Sequence, residues 1–247
     1  HVNLISLDAT LADLGIMDVG GLTLAERSAT VADLLASRSG IYHPAAFEDA
    51  AWTARKPARG THEPGEAWFY NNWDFNALGT IYEQATGAPL FERFEEEIAA
   101  PLGMEDFRPV DTSWFADPEV SEHPAYLLRI STRDLARFGL LYASGGEWEG
   151  DQIVPREWVF DGFRRRSDAF SDGTGYGRLW WTAQAGEADI PFASGAPGQR
   201  MYVMPEHRIV FVFRPDTYLP GSVPDSQVHT LFLSVLGAMT GRVRAAE

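Results

Sequence analysis

The residues able to do chemistry here are few, and two absences narrow them further. The 247 residues contain no cysteine, which excludes thiol nucleophiles, Cys-ligated metal sites and disulfides. Nineteen of the twenty basic residues are arginine, so Lys56 is the only lysine, and lysine-dependent chemistry must use it or an amine from outside the sequence. The densest polar cluster is Phe69-Tyr70-Asn71-Asn72-Trp73-Asp74-Phe75-Asn76, set at the start of a helical pattern. Taken alone, it reads as a capping cluster, since Asn is a favoured cap and a buried Tyr finds a hydrogen-bond partner. Ser194-Gly195 reads as strand and turn. His43, His62, His123 and His207 lie scattered in loops without metal-ligand spacing, so they read as structural or solvated. Glu95-Glu96-Glu97 reads as a solvated helix face.

The elements that must position these residues fall into two parts. Thr23 with Glu26, Thr30 with Asp33 and Ser131 with Asp134 each set a hydroxyl three residues before a carboxylate, which predicts three helix starts. The second of these helices should stop at Gly40. The spacing of Phe75, Leu78, Ile81 and Tyr82 predicts a helix from about Asn72 to Gly87, and Leu135, Phe138, Leu141 and Tyr142 predict another after Ser131. Lys56 to Gly65 reads as a surface connection. Beyond residue 170 the pattern changes. Gly175 to Thr182 is aromatic and Gly-punctuated, Pro191 to Gly195 is extended, and Gln199–Met204 and Arg208–Phe213 form two strands joined at Pro205-Glu206-His207. A final helix runs from about Ser226 to Arg242 with Leu231, Val235 and Ala238 on one face. The expected class is α+β in a single domain over 1–247, with a mostly helical region at 1–170 and an antiparallel sheet plus C-terminal helix at 171–247.

Charge and hydropathy restrict the partners. A balance of 20 basic against 35 acidic residues gives −15, which repels phosphate backbones and argues against nucleic acid. No apolar run approaches the roughly 20 residues that span a bilayer. The first residue is His1, and no signal peptide is visible, so cellular address and oligomeric state stay open.

The stretch FYNNWDFNALGTIYEQATG resembles the Y-x-N box of the serine β-lactamase and penicillin-binding superfamily. This superfamily includes class C β-lactamases, DD-peptidases, family VIII esterases and 6-aminohexanoate-dimer hydrolases. Five further blocks resemble it in order. They are LISLDATLADLGI at 4–16, ATVADLLASRSGIYHP at 29–44, GAPLFERFEEEIAAPLGMEDF, ISTRDLARFGLLYASGGEW and GQRMYVMPEHRIVFVFR. The resemblance implies a β-lactamase/transpeptidase-like fold and acyl transfer through a serine ester, with no metal or organic cofactor. It assigns Tyr70 as a proton relay whose pKa a neighbouring lysine cation lowers, and Asn72 as the residue that orients lysine and substrate. It places Ser194, Gly195 and Ala196 on the oxyanion side, with the Ala196 N–H as a donor.

Two departures shape the expectation. Ala193 stands where the family often has a cation, which disfavours anionic substrates relative to a neutral ester or amide. No serine lies three residues before Lys56, so the family's Ser-x-x-Lys pair is absent, and Thr53-Ala54-Arg55-Lys56 is a chance spacing. The family's nucleophile would fall roughly 15 to 20 residues before His1. The expectation is therefore a longer natural polypeptide, with this portion inactive by itself and its sheet reduced to three strands with open edges. The resulting reading is a serine hydrolase of small esters or amides, nearer to the esterases and amide hydrolases than to true β-lactamases. The rival is a non-catalytic member that keeps the cleft for binding or regulation.

Overall fold

The computed structural model describes residues 4–185, 188–196, 198–216, 221 and 223–239. Three short helices come first: α1 (Leu24–Arg27), α2 (Val31–Leu35) and α3 (Ala50–Thr53). The long helix α4 (Asn72–Thr86) follows, then α5 (Leu90–Phe94), which runs on into a π-type turn at Glu95–Ala99. Strands β1 (Thr112–Phe115) and β2 (Ala125–Leu128) pair with each other before α6 (Thr132–Ala143). A small hairpin of β3 (Glu147–Trp148) and β4 (Asp151–Gln152) precedes α7 (Arg156–Phe163). Next come β5 (Ser167–Asp168), β6 (Thr174–Tyr176), β7 (Trp181–Ala185), β8 (Ala188–Gly195), β9 (Gln199–Met204) and β10 (Ile209–Phe213), and then α8 (Asp225–Met239).

All three expected capping pairs form. Thr23 and Thr30 each accept from the backbone three residues on while Glu26 and Asp33 reach back to the cap N–H, and the Ser131 hydroxyl accepts from the Asp134 N–H. Helix α2 nevertheless ends at Leu35, short of Gly40. Ser37 takes a left-handed φ of 54°, which breaks the helix and turns the chain toward α4. Helix α4 stops as expected, with Gly87 at φ 64° and its N–H on the Glu83 carbonyl. Its buried face is centred on Trp73, Ala77 and Ile81, with Leu78 packed beside them, so the expected Ile81 and Leu78 belong to it while Phe75 and Tyr82 lie off it. That face packs into one core with Leu11, Ile16, Leu34 and Ile41.

The sheet has six strands in the order β10-β9-β8-β7-β6-β5, all antiparallel, so the expected three-strand remnant is corrected. Helices α6 and α7 cover one face, where Leu141 of α6 is fully buried and Leu135, Phe138 and Tyr142 pack toward Met201, Val203 and Val210. A Cβ at Gly139 would lie 2.5 Å from the Val210 side chain, so this close helix–sheet approach requires glycine. Helix α8 covers part of the opposite face through Val228 and Phe232, both 1% exposed, with the Phe232 ring stacked 4.2 Å from Tyr202. This also corrects the expected apolar face, because Leu231 and Val235 point outward. The helix end predicted near Arg242 and residues 1–3 lie outside the described residues. Among the described residues, no helix is long and apolar enough to cross a membrane.

Candidate functional site

Tyr70 sits one residue before the α4 N-cap, where the chain leaves an extended segment and its ring lands on the sheet. The ring stacks on Trp181 of β7 at 5.1 Å, with Trp52 at 5.0 Å and Phe75 at 4.9 Å. Trp181 in turn stacks on Phe192 of β8 at 6.2 Å. Period-two alternation puts Ser194 on the Phe192 face of β8, so Tyr70 and Ser194 address one face of the sheet. Ala193 points the other way, into the core beneath α6 and α7. Of the tryptophans that could line a pocket, Trp68 and Trp181 belong to this cluster, whereas Trp180 packs on the opposite face. Burial raises the Tyr70 phenol above its ordinary value. No cation opposes this, so the expected lowering by a lysine is not seen among the described residues.

Asn72 is the first residue of α4, and its amide donates to the Phe47 carbonyl at 2.9 Å. One turn on, Asn76 donates to the Ala46 carbonyl at 3.0 Å, so the two amides fasten one loop. The bonded group of Asn72 is its Nδ2. Asn71 occupies the N-cap without a side-chain cap bond; its amide donates instead to the Ile41 carbonyl at 2.7 Å and to Asp74 at 2.9 Å. Asp74 is fully buried and also accepts from the Ser39 hydroxyl at 2.5 Å. Burial drives its pKa well above the usual carboxylate range, against the pull of Ser39, Asn71 and the more distant Lys56. Asp74 Oδ2 and Asn71 Oδ1 are both buried without a hydrogen-bond partner among the described residues.

Strand β8 outruns its neighbour on the β7 side. Its pairing to β7 begins at Trp181↔Phe192, while its pairing to β9 continues through Ala193↔Met201, Ser194↔Arg200 and Gly195↔Gln199. The Gly195 carbonyl accepts from the Gly198 N–H at 3.0 Å, which turns the polar groups of Gly195 toward β9. Antiparallel alternation then turns those of Ser194 outward, past the end of β7. Ala196 is exposed in the hairpin, where its carbonyl accepts from the Gln199 amide at 2.7 Å.

The only lysine lies elsewhere. The Lys56 ammonium is 2.5 Å from Glu48 and donates to the His43 carbonyl at 2.6 Å, and both side chains of the ion pair are under a tenth exposed. The Thr53 hydroxyl donates to the Asp49 carbonyl, so the T-x-x-K spacing assembles no pair.

The beta-lactamase family model matches residues 4–214. The chain belongs to the beta-lactamase family. No curated protein matches this beta-lactamase-family chain in sequence. Among solved structures, it is similar to the candidate 6-aminohexanoate-dimer hydrolase from Bacillus anthracis, with a TM-score of 0.72 at 20% identity over 98% of this chain and 69% of that one. It is similar also to the octameric penicillin-binding protein homologue from Pyrococcus abyssi, at 0.66 and 21%, over 95% of this chain and 61% of that one. A class C β-lactamase carrying a tyrosine-to-phenylalanine substitution gives 0.64 and 14%, over 96% of this chain and 77% of that one. The β-lactamase/transpeptidase-like fold is thereby shared, and this family member spans under two thirds of the Pyrococcus abyssi chain.

Within this beta-lactamase-family chain, His43, His62 and His123 are held as parts of the scaffold. His43 lies 3.4 Å from both Asp18 and Glu26, His123 meets the Thr80 hydroxyl, and His62 meets Tyr42. His207 is exposed. Ser39 and Phe47 are the residues that sequence reasoning did not single out, and Asp74 entered only as a member of the polar cluster. Asp74 had a signal, as a carboxylate next to the buried Trp73 on the helix face, but its partner lies 35 positions away.

Proposed function

We propose that these residues carry the relay and oxyanion sides of a serine acyl-transfer hydrolase acting on uncharged esters or amides. The observation that supports this reading is the stack from Tyr70 through Trp181 to Phe192, which sets the Tyr70 ring on the sheet face that Ser194 shares. A serine hydroxyl attacks the substrate carbonyl, the strained oxygen accepts N–H groups from Ser194 and Ala196, and Gly195 permits the close approach. Tyr70 passes the proton from the attacking hydroxyl to the leaving group, and water repeats the cycle on the acyl-enzyme. Because burial keeps the phenol protonated at neutral pH, a lysine cation must approach it to make it a base. Asn72 holds that cation and the substrate through its amide oxygen. The nucleophile and its amine come from outside the 247 residues, since no Ser-x-x-Lys occurs within them. Ala193 faces the core and supplies no cation, which favours neutral esters and amides over anionic β-lactams.

Fluorophosphonate labelling followed by peptide mapping tests this on a polypeptide that includes the upstream coding sequence. The expected result is a label on a serine upstream of His1. A label on Ser194 would overturn this division of roles. Failure to label an intact fold would favour the non-catalytic binding member.

A further inference from the structure

The loop between Gly40 and Phe69 sets an aromatic ring on each side of the Tyr70–Asn72 step. On the Tyr70 side, Trp52 packs at 5.0 Å from the Tyr70 ring and 6.3 Å from Phe170, which is 41% exposed. On the Asn72 side, the Phe47 ring pairs with Phe115 at 5.4 Å, and the two are 56% and 44% exposed. Phe47 has a φ of 59°, a left-handed conformation that strains a non-glycine residue. Leaving more than half of such a ring in water also forgoes part of its burial. A glycine or asparagine here would avoid both costs.

The chain instead fixes the arrangement from three directions. Asn72 and Asn76 grip the carbonyls of Phe47 and Ala46. The Lys56–Glu48 pair and the Lys56 bond to the His43 carbonyl tie the loop base. Lys56 and Glu48 cancel each other's charge, and Arg55 lies over Trp52 at 5.8 Å from its ring centre. The two walls themselves present aromatic carbon.

We infer that Phe47 with Phe115 and Trp52 with Phe170 form two aromatic walls that bind the aryl groups flanking an uncharged ester or amide. The inference rests on reading Tyr70 and Asn72 as the site. It makes Lys56 a residue that positions the binding loop.

Titration of the 247-residue chain with N-benzylacetamide, an uncharged aryl amide, and with N-benzoylglycine, its carboxylate counterpart, tests this by calorimetry. Saturable binding of N-benzylacetamide is expected, with N-benzoylglycine about tenfold weaker. Because the probe has one aryl group, at least one of Phe47→Ala and Trp52→Ala should weaken N-benzylacetamide about tenfold, while Phe160→Ala, on α7 beyond the far face of the sheet, leaves it unchanged. Thermal unfolding verifies that each variant is folded. Unchanged affinity in both wall variants, equal or tighter binding of the carboxylate, or no saturable binding would overturn the inference. The readout needs no turnover. Aryl binding together with failure of the polypeptide that carries the upstream coding sequence to label with fluorophosphonate would sink the acyl-transfer reading alone, and labelling of that polypeptide without aryl binding would sink this one alone.

Discussion

Two buried carboxylates adjoin consecutive residues of α4 and behave oppositely. Asp18 receives the Trp73 indole at 2.5 Å, the Glu122 N–H at 2.7 Å and the Ser121 hydroxyl at 3.1 Å, with His43 at 3.4 Å. Burial alone would raise its pKa; the bonds from His43, Glu122 and Trp73 outweigh that and hold it well below the usual range. Beyond His43, Glu26 is bound by Arg59 through two bonds of 2.7 and 2.6 Å, so charge is passed outward to a half-exposed arginine. Asp74 has only a hydroxyl and an amide, and burial wins. Donor number and nearby charge separate the two, and Asp74 is also the more deeply buried. One result is a helix start with low-pKa carboxylates on its Asp18 side and, at Asp74 beside Asn71, a carboxyl that burial biases toward its neutral form. That neutrality suits a site proposed for uncharged substrates.

The largest expected effect comes from removing the ionised member. Asp18→Ala strands the Trp73 indole, the Glu122 N–H and the His43 ring in the core, and should cost about 3–5 kcal/mol. Chemical denaturation checks this, and a loss below about 1 kcal/mol would break the comparison.

A subtler effect is expected at Asp74, and it lies in the slope. A raised folded pKa gives stability that is full below the unfolded value of about 4 and lost as pH rises toward the folded value. Asp18 contributes in the opposite sense, fully above about 4 and lost in acid, so it is level between about pH 5 and 8. His123, lowered by burial, titrates in this window with the reverse slope, but it is common to both proteins. The stability of Asp74→Asn relative to the parent should therefore grow from pH 5 to 8, by at most ~1.4 kcal/mol per unit. A difference independent of pH would place Asp74 with Asp18 and remove the contrast.

What the sequence disclosed follows the range of each interaction. The capping pairs are three residues apart, and Gly87 ends α4 by its own backbone, so these were readable. Strands β9 and β10 carry long apolar runs and were placed to within a residue. Strands β5 and β6 have two and three residues, too few for alternation to register, and with them a third of the sheet went unseen. The outward face of α8 was misread because apolar residues surround this helix, and only the Tyr202 stack selects Phe232. At the site, Tyr70 and Asn72 stood out through resemblance. Ser39 on Asp74 and Phe47 beneath Asn72 join positions 35 and 25 residues apart, which local pattern does not reveal.

The relay role of Tyr70 is the central claim, and hydrolysis of p-nitrophenyl acetate tests it most directly. The comparison is between a polypeptide carrying these residues with the upstream coding sequence and its Tyr70→Phe variant. The account predicts that kcat falls by at least about 10²-fold while KM holds. Turnover unchanged by the loss of the hydroxyl would contradict it.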